Sequence, residues 1–280
     1  PVPFPTENQM TLPVENQELY AKNELFPENW YSYRLTGGLN KQNVLTTFLT
    51  VQINPVRYNP PQQIIQSIAS IVLDITYEPP THPFSSATDA YDMIIICPDA
   101  FAPLLASLVA HKNSVGIQTK LITLTNIYSS TYFPVEGRDN PEKIKYFIKD
   151  AIENWGTKYI LLIGSIDKLP IRTTWIFQRH DDYYWNESVL TDLYYSDIYD
   201  ELGVFCSWDS DGDGIFGEVY RNCPGVNDTV DLYADVNIGR LACTDTNDVN
   251  IVVDKIIHYE TNTYGKSWFK NMIFFGGDTF

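Results

Sequence analysis

The chain has 280 residues with 44% hydrophobic and 14% aromatic side chains, a globular composition that excludes a disordered chain. Lys and Arg total 19 against 35 Asp and Glu, a net charge of -16, which argues against nucleic acid as a partner, since that needs a basic surface. No run approaches the ~18 uninterrupted apolar residues of a membrane span.

Residues 1–30 are rich in Pro and Asn, lack periodicity, and read as an extended arm or linker. Residues 31–86 read as a β-sandwich-like upstream segment. In it Tyr31–Leu35 leads into a turn at Gly37-Gly38, Val44–Ile53 is rich in β formers, and Ile71–Tyr77 alternates. Pro79, Pro80 and Pro83 then break the chain.

Residues 87–280 alternate strand and helix. Met93–Cys97 is a continuous apolar run, as a parallel strand buried on both faces should be. Residues 99–113 carry apolar groups at helical spacing and stop at Gly116; Ile117–Leu124 is the next strand. Asn140 is a candidate N-cap with Pro141 at the first helical position. The stripe Ile144, Phe147, Ile148, Ala151, Ile152 and Trp155 then runs to Gly156. Tyr159–Gly164 is a third buried strand, Val236–Leu241 a fourth, residues 246–262 a helix, and Met272–Phe275 a fifth strand. This predicts an α/β three-layer sandwich on a mainly parallel sheet, preceded by a small all-β segment.

Charge is uneven. Residues 181–250 hold 16 acids against Arg221 and Arg240. Such an excess must be neutralised or must tolerate self-repulsion, and bound divalent cations neutralise it. Within it, Asp209-Ser210-Asp211-Gly212-Asp213-Gly214-Ile215-Phe216-Gly217-Glu218 places alternate carboxylates around one point. Gly214 permits the sharp turn, and Ile215 offers a backbone carbonyl. The loop departs from a helix-flanked EF-hand, because its acid comes early, at Glu218, and Tyr220 stands at the twelfth position. The expected cofactor is Ca2+; the competing reading is a solvated acidic turn. Asp228, Asp231 and Asp235, beside Tyr233, form a second acidic cluster and a candidate second cation site.

Of the four cysteines, Cys97 and Cys243 read as buried thiols. Cys206 and Cys223 flank the acidic loop and are candidates for a disulfide, which would imply an oxidising compartment. The chain opens on Pro1 without Met and closes on an apolar strand running into Gly276-Gly277. That reads as a piece of a longer precursor.

Several segments together resemble the gingipain family of cysteine peptidases: Tyr91–Ile96, Pro141–Ile148, Thr157–Gly164, Asp192–Asp197, the acidic loop, Val236–Leu241 and Lys255–Glu260. Their recurrence in one order, over roughly residues 90–280, makes the resemblance specific. It implies a caspase-haemoglobinase-like fold of two α/β halves, with a Cys nucleophile and a His base on the second half. His82, His111, His180 and His258 match no His-Gly turn of the family, and no cysteine sits in its nucleophile context. The resemblance further implies that Asp278 orients the catalytic His, the alternative being a turn cap after Gly276-Gly277. It also implies that Asp231, the Tyr233 carbonyl and Asp235 form a structural calcium site. The expected function is the N-terminal portion of a secreted or cell-surface, calcium-stabilised cysteine endopeptidase. Its partners would be the remainder of the same precursor and a peptide or protein substrate. The alternative is a catalytically inactive calcium-binding or structural module.

Overall fold

The computed structural model describes residues 20–42, 44–77, 90–180, 183–230 and 232–273. The chain divides into two compact units, Pro1–Leu35 with Leu49–Pro80, and Thr36–Phe48 with Thr81–Phe280.

The smaller unit is built from β ladders. Strands β1 (Tyr31–Leu39) and β2 (Leu45–Ile53) pair as a hairpin whose outer part, Thr36–Phe48, belongs to the larger unit. Strands β3 (Val56–Asn59) and β4 (Ile64–Ser67) pair antiparallel from Val56↔Ser67 to Asn59↔Ile64. The alternating run Ile71–Tyr77 joins neither ladder; Val72 is 83% and Tyr77 81% exposed. Alternation makes a strand only where a partner strand satisfies its backbone, and none of the described residues does so here.

The expected turn at Gly37-Gly38 is displaced. Both glycines lie inside β1, and the turn is Asn40, whose Oδ1 accepts the Gln42 and Val44 N–H groups at 2.9 and 3.1 Å. The glycines serve close approach instead: a Cβ at Gly37 would stand 2.9 Å from the Asp200 carbonyl oxygen, and one at Gly38 2.9 Å from the Tyr233 Cβ.

The larger unit is centred on an all-parallel sheet of β5 (Met93–Cys97), β6 (Thr119–Thr123), β7 (Tyr159–Ile163) and β11 (Asn237–Leu241), in the order β11-β7-β5-β6. Its two faces alternate along each strand. Ile94, Ile96, Ile122, Ile160 and Leu162 face one core, and Ile95, Cys97 and Ile163 the other. Helix α3 (Asn140–Trp155) covers the first through Ile144, Phe147, Ile148 and Ala151. Helices α1 (Ala106–Ser114) and α4 (Thr246–Asn262) cover the second through Leu108, Val249 and Val253. A short helix α2 (Leu124–Tyr128) follows β6. The expected α/β three-layer arrangement is therefore present, with two apolar cores back to back.

Three boundaries differ from expectation, each for a local reason. The helix at 99–113 splits, because Pro103 lacks the N–H for an α-helical bond; Asp99–Leu105 is a 3-10 segment and α1 follows it. The cap of α3 is Asp139, not Asn140, since the Asp139 carboxylate accepts the Glu142 N–H at 2.9 Å. Asn271–Ile273 form no strand, and Met272 and Ile273 are 75% and 76% exposed; the rest of the expected fifth strand lies outside the described residues.

A second sheet was not anticipated. Strand β8 (Arg172–His180) pairs antiparallel with β9 (Tyr183–Thr191), and β10 (Val219–Arg221) runs parallel to β8 on its other side. Arg240 of β11 secures the carboxyl end of the main sheet. Its guanidinium donates to both Asp192 oxygens at 2.7 and 2.8 Å and to the carbonyls of Gly164, Leu169 and Pro170 at 2.8, 3.0 and 3.1 Å.

Candidate metal centre

The acidic loop leaves the Cys206–Trp208 segment and returns through β10. Trp208 takes a positive φ of 66°, and its carbonyl accepts the Gly217 N–H at 2.6 Å, closing the loop at its neck. Gly214, at φ 87° with open space where a Cβ would stand, makes the turn that the sequence anticipated. Inside the loop, Asp211 Oδ1 accepts the Asp213 N–H at 3.2 Å and Asp213 Oδ1 accepts the Ile215 N–H at 2.7 Å. These bonds fix the Asp211 and Asp213 carboxylates against the loop backbone.

Four predicted ligands meet here: Asp209, Asp211, Asp213 and Glu218, with half-buried Ile215 between them. Asp228, which the sequence grouped with Asp231 and Asp235, joins them. Its Oδ1 accepts the Ser210 N–H and hydroxyl at 2.6 and 3.0 Å, and its Oδ2 accepts the Glu218 N–H at 3.2 Å. The ligand oxygens form two overlapping triads, Asp209–Asp211–Asp228 and Asp211–Asp213–Glu218, each within 4.8 Å. Burial, and then the charges of Asp213, Asp228 and Asp211, push the Glu218 carboxyl above its ordinary range. Such crowding is costly unless a cation joins it. The Asp209 side chain is fully buried; its Oδ2 pairs with Arg138 and accepts the Gly214 N–H at 3.3 Å, while Oδ1 has no hydrogen-bond partner. A buried carboxylate oxygen left without a donor fits a hard cation with oxygen ligands.

Three basic side chains from outside the loop pack against it, and spacing gave no sign of them. Arg138, just before α3, forks onto Glu142 at 2.7–3.1 Å, pairs with Asp209, and lies 4.8 Å from the Phe216 ring centroid. Arg172 of β8 forks onto Asp139 at 2.7 and 2.9 Å and stacks 3.6 Å from Phe216. Burial alone would raise the Asp139 carboxyl, but the Arg172 fork and the Glu142 N–H hold it below the usual range. Lys145 of α3 is fully buried, donates to the Cys206 carbonyl, and lies 4.4, 5.4 and 5.5 Å from the rings of Tyr194, Phe205 and Trp208.

At the second predicted site, Asp235 is buried and its Oδ2 accepts the Ile198 and Tyr199 N–H groups at 2.6 and 2.8 Å. Tyr233 stacks on Phe48 at 5.8 Å. Asp231 and Asp278 lie outside the described residues.

All four cysteines are free thiols. The proposed Cys206–Cys223 bond is not formed, because the two sulfhydryls turn to different carbonyls, Thr229 at 3.3 Å and Phe177 at 3.4 Å. Burial, then Asp99, pushes the Cys97 thiol up to about 12, and burial also raises Cys243, so neither is primed as a nucleophile. His111 pairs with Glu260 at 2.8 Å and His258 contacts Asn262 at 3.2 Å. Among the described residues, no helix is long and apolar enough to cross a membrane.

The model of peptidase family C25 matches residues 86–280. The chain belongs to this family, the gingipain-type cysteine peptidases. Among curated C25 relatives it is similar to gingipain R2 of Porphyromonas gingivalis, at 24% identity over 172 residues, 61% of this chain. The chain spans only 17% of that relative's length. Among solved family structures it is similar to the Arg-specific cysteine proteinase gingipain R, at 22% identity, covering 65% of this chain and 30% of that one, with a TM-score of 0.38. Dimeric latent PorU from Porphyromonas gingivalis is similar at 16% identity, over 61% of this chain and 16% of that one, with a TM-score of 0.39.

Proposed function

We propose that residues 87–280 supply the scaffold half of a secreted, calcium-stabilised cysteine endopeptidase with a caspase-like catalytic domain, whose Cys nucleophile and His base lie on further polypeptide. The family match over residues 86–280 carries the peptidase reading. The state of the thiols supports placing the nucleophile elsewhere: two are held protonated by burial in an apolar core and two donate to backbone carbonyls. The remainder of the same precursor is then the partner, a peptide or protein the substrate, and residues 1–30 and 31–86 an arm and an upstream β segment.

Calcium at the Asp209–Glu218 loop supplies charge neutralisation rather than chemistry on the substrate. Asp209, Asp211, Asp213, Glu218 and the Ile215 carbonyl would hold it. A further calcium is proposed at Asp231, the Tyr233 carbonyl and Asp235. Asp278 acts as a positioning residue, its carboxylate holding the imidazole of the missing half in the tautomer that accepts the thiol proton.

The test uses the full-length polypeptide. Cleavage of a pooled peptide library should be abolished by a thiol alkylator. Asp278→Ala should lower kcat by roughly 10²–10⁴-fold and displace the pH profile, with calcium binding unchanged. Absence of thiol-dependent cleavage would favour the second reading, a catalytically inactive calcium-binding module, which the buried state of the described thiols also suits.

A further inference from the structure

We infer that the acidic loop binds two calcium ions bridged by Asp211, the second completed by Asp228 from outside the loop. The inference rests on the calcium reading above and deepens it.

The ligand set taken above as one divides in two, Asp209 leaving the Asp213–Glu218 ion for the second. Asp211, Asp213 and Glu218 form one group within 4.8 Å, and Asp209, Asp211 and Asp228 another. Calcium takes its oxygens at ~2.3–2.6 Å, so a 4.8 Å group spans one ion. Two groups joined at a single carboxylate describe two adjacent ions with a shared ligand. Each carboxylate can be shared between a backbone donor and a metal, because its oxygens have lone pairs to spare. The hydrogen bonds from Ser210 and Glu218 to Asp228 therefore fix its orientation without using it up.

The Asp209–Asp211–Asp228 group also contains the one observation that asks for a ligand independently of the acidic count. Asp209 is fully buried, and Arg138 and the Gly214 N–H take one of its oxygens only. The other has no hydrogen-bond partner. Leaving a charged oxygen so costs the full desolvation of that atom, and a cation at this group relieves it.

Charge points the same way. Five carboxylates converge on the loop, and among the cations packed against it Arg138 alone reaches one of them, its fork already engaged by Glu142. One divalent ion leaves at least two negative charges uncompensated; two ions bring the cluster close to neutral.

The test counts calcium per chain after chelation, by isothermal titration and by native mass spectrometry, in wild type, Asp228→Asn, Glu218→Gln and the double variant. Differences between variants are read, so calcium bound elsewhere on the chain cancels. Each single variant should lose one equivalent and the double variant two. If all three lose the same single equivalent, or the double variant loses none, the loop holds at most one ion and the inference falls, while the calcium reading is judged by wild type alone. If wild type binds no calcium, that earlier reading fails with it. Circular dichroism and a cooperative melt establish folding, and Asp209→Asn replaces Asp228→Asn should the latter not fold.

Discussion

Arg240→Met is expected to destabilise the larger unit by about 3–5 kcal/mol, because it removes five charge-assisted hydrogen bonds and strands Asp192. Arg240 is one of two basic residues in the acidic quarter of the chain, residues 181–250. Its side chain, 10% exposed, joins β11 to the turn after β7 and to Asp192, ahead of the buried Tyr194 and Tyr195. A methionine fills the stem's volume but offers no donor to three carbonyls. The urea midpoint should fall with an unchanged m-value, and the melting temperature should drop by ~10 °C or more. Arg240→Lys should recover little, since an ammonium cannot fork onto Asp192 while reaching Gly164 and Pro170. Wild-type stability in the lysine variant would show that charge alone suffices.

The second large effect belongs to Lys145. Lys145→Ala opens a cavity among Tyr194, Phe205 and Trp208 and leaves the Cys206 carbonyl without its donor, a loss of ~3–5 kcal/mol. The residue also carries a pH signature. Burial pulls its ammonium from an ordinary 10.5 down to about 8, against the opposing pull of Cys206, Asp197 and Asp235. Between these values the unfolded chain binds the proton and the folded chain does not. Stability from this group therefore rises as pH increases from about 8 towards 10.5, and is lost as pH falls through 8. Against Lys145→Met, which lacks the titration, wild type should gain in relative urea midpoint between pH 8 and 10. A constant difference would show that the lysine stays charged in the fold.

Legibility followed the physics of each element. Strands β5 and β7 were readable because a strand buried on both faces is a continuous apolar run, as in Met93–Cys97. Helix α3 was readable from its stripe and from Gly156, which takes the left-handed cap. The cap itself slipped by one because Asp139 and Asn140 are both good capping residues; the fold uses Asp139, which also receives Arg172. The β8–β9 hairpin went unread because its strands mix polar and apolar residues without a clear alternation, and the Asp181-Asp182 pair between them is no Asn-Gly or Asp-Gly signal. The loop ligands Asp209, Asp211 and Asp213 were legible from their spacing. Asp228 was not, since it reaches Ser210 across 18 positions, nor was Arg138, which meets Asp209 across 71. Local pattern shows which residues can hold a cation, and only tertiary folding shows what neutralises them without one.

That distinction bears on how the scaffold is held. Arg138 and Arg172 tie the loop to the start of α3 and to β8, and Lys145 ties its approach to the middle of α3. The loop is thereby linked to α3, the helix that covers one face of the main sheet. The most direct measurement is the thermal unfolding of the chain in excess chelator and in calcium at a hundredfold over its dissociation constant. Saturation of a single site at that excess contributes ~2.7 kcal/mol, a rise of ~5–10 °C for a domain of this size, and Asp211→Asn with Asp213→Asn should remove the loop's share of it. Identical melting temperatures with chelator and with calcium would contradict the account.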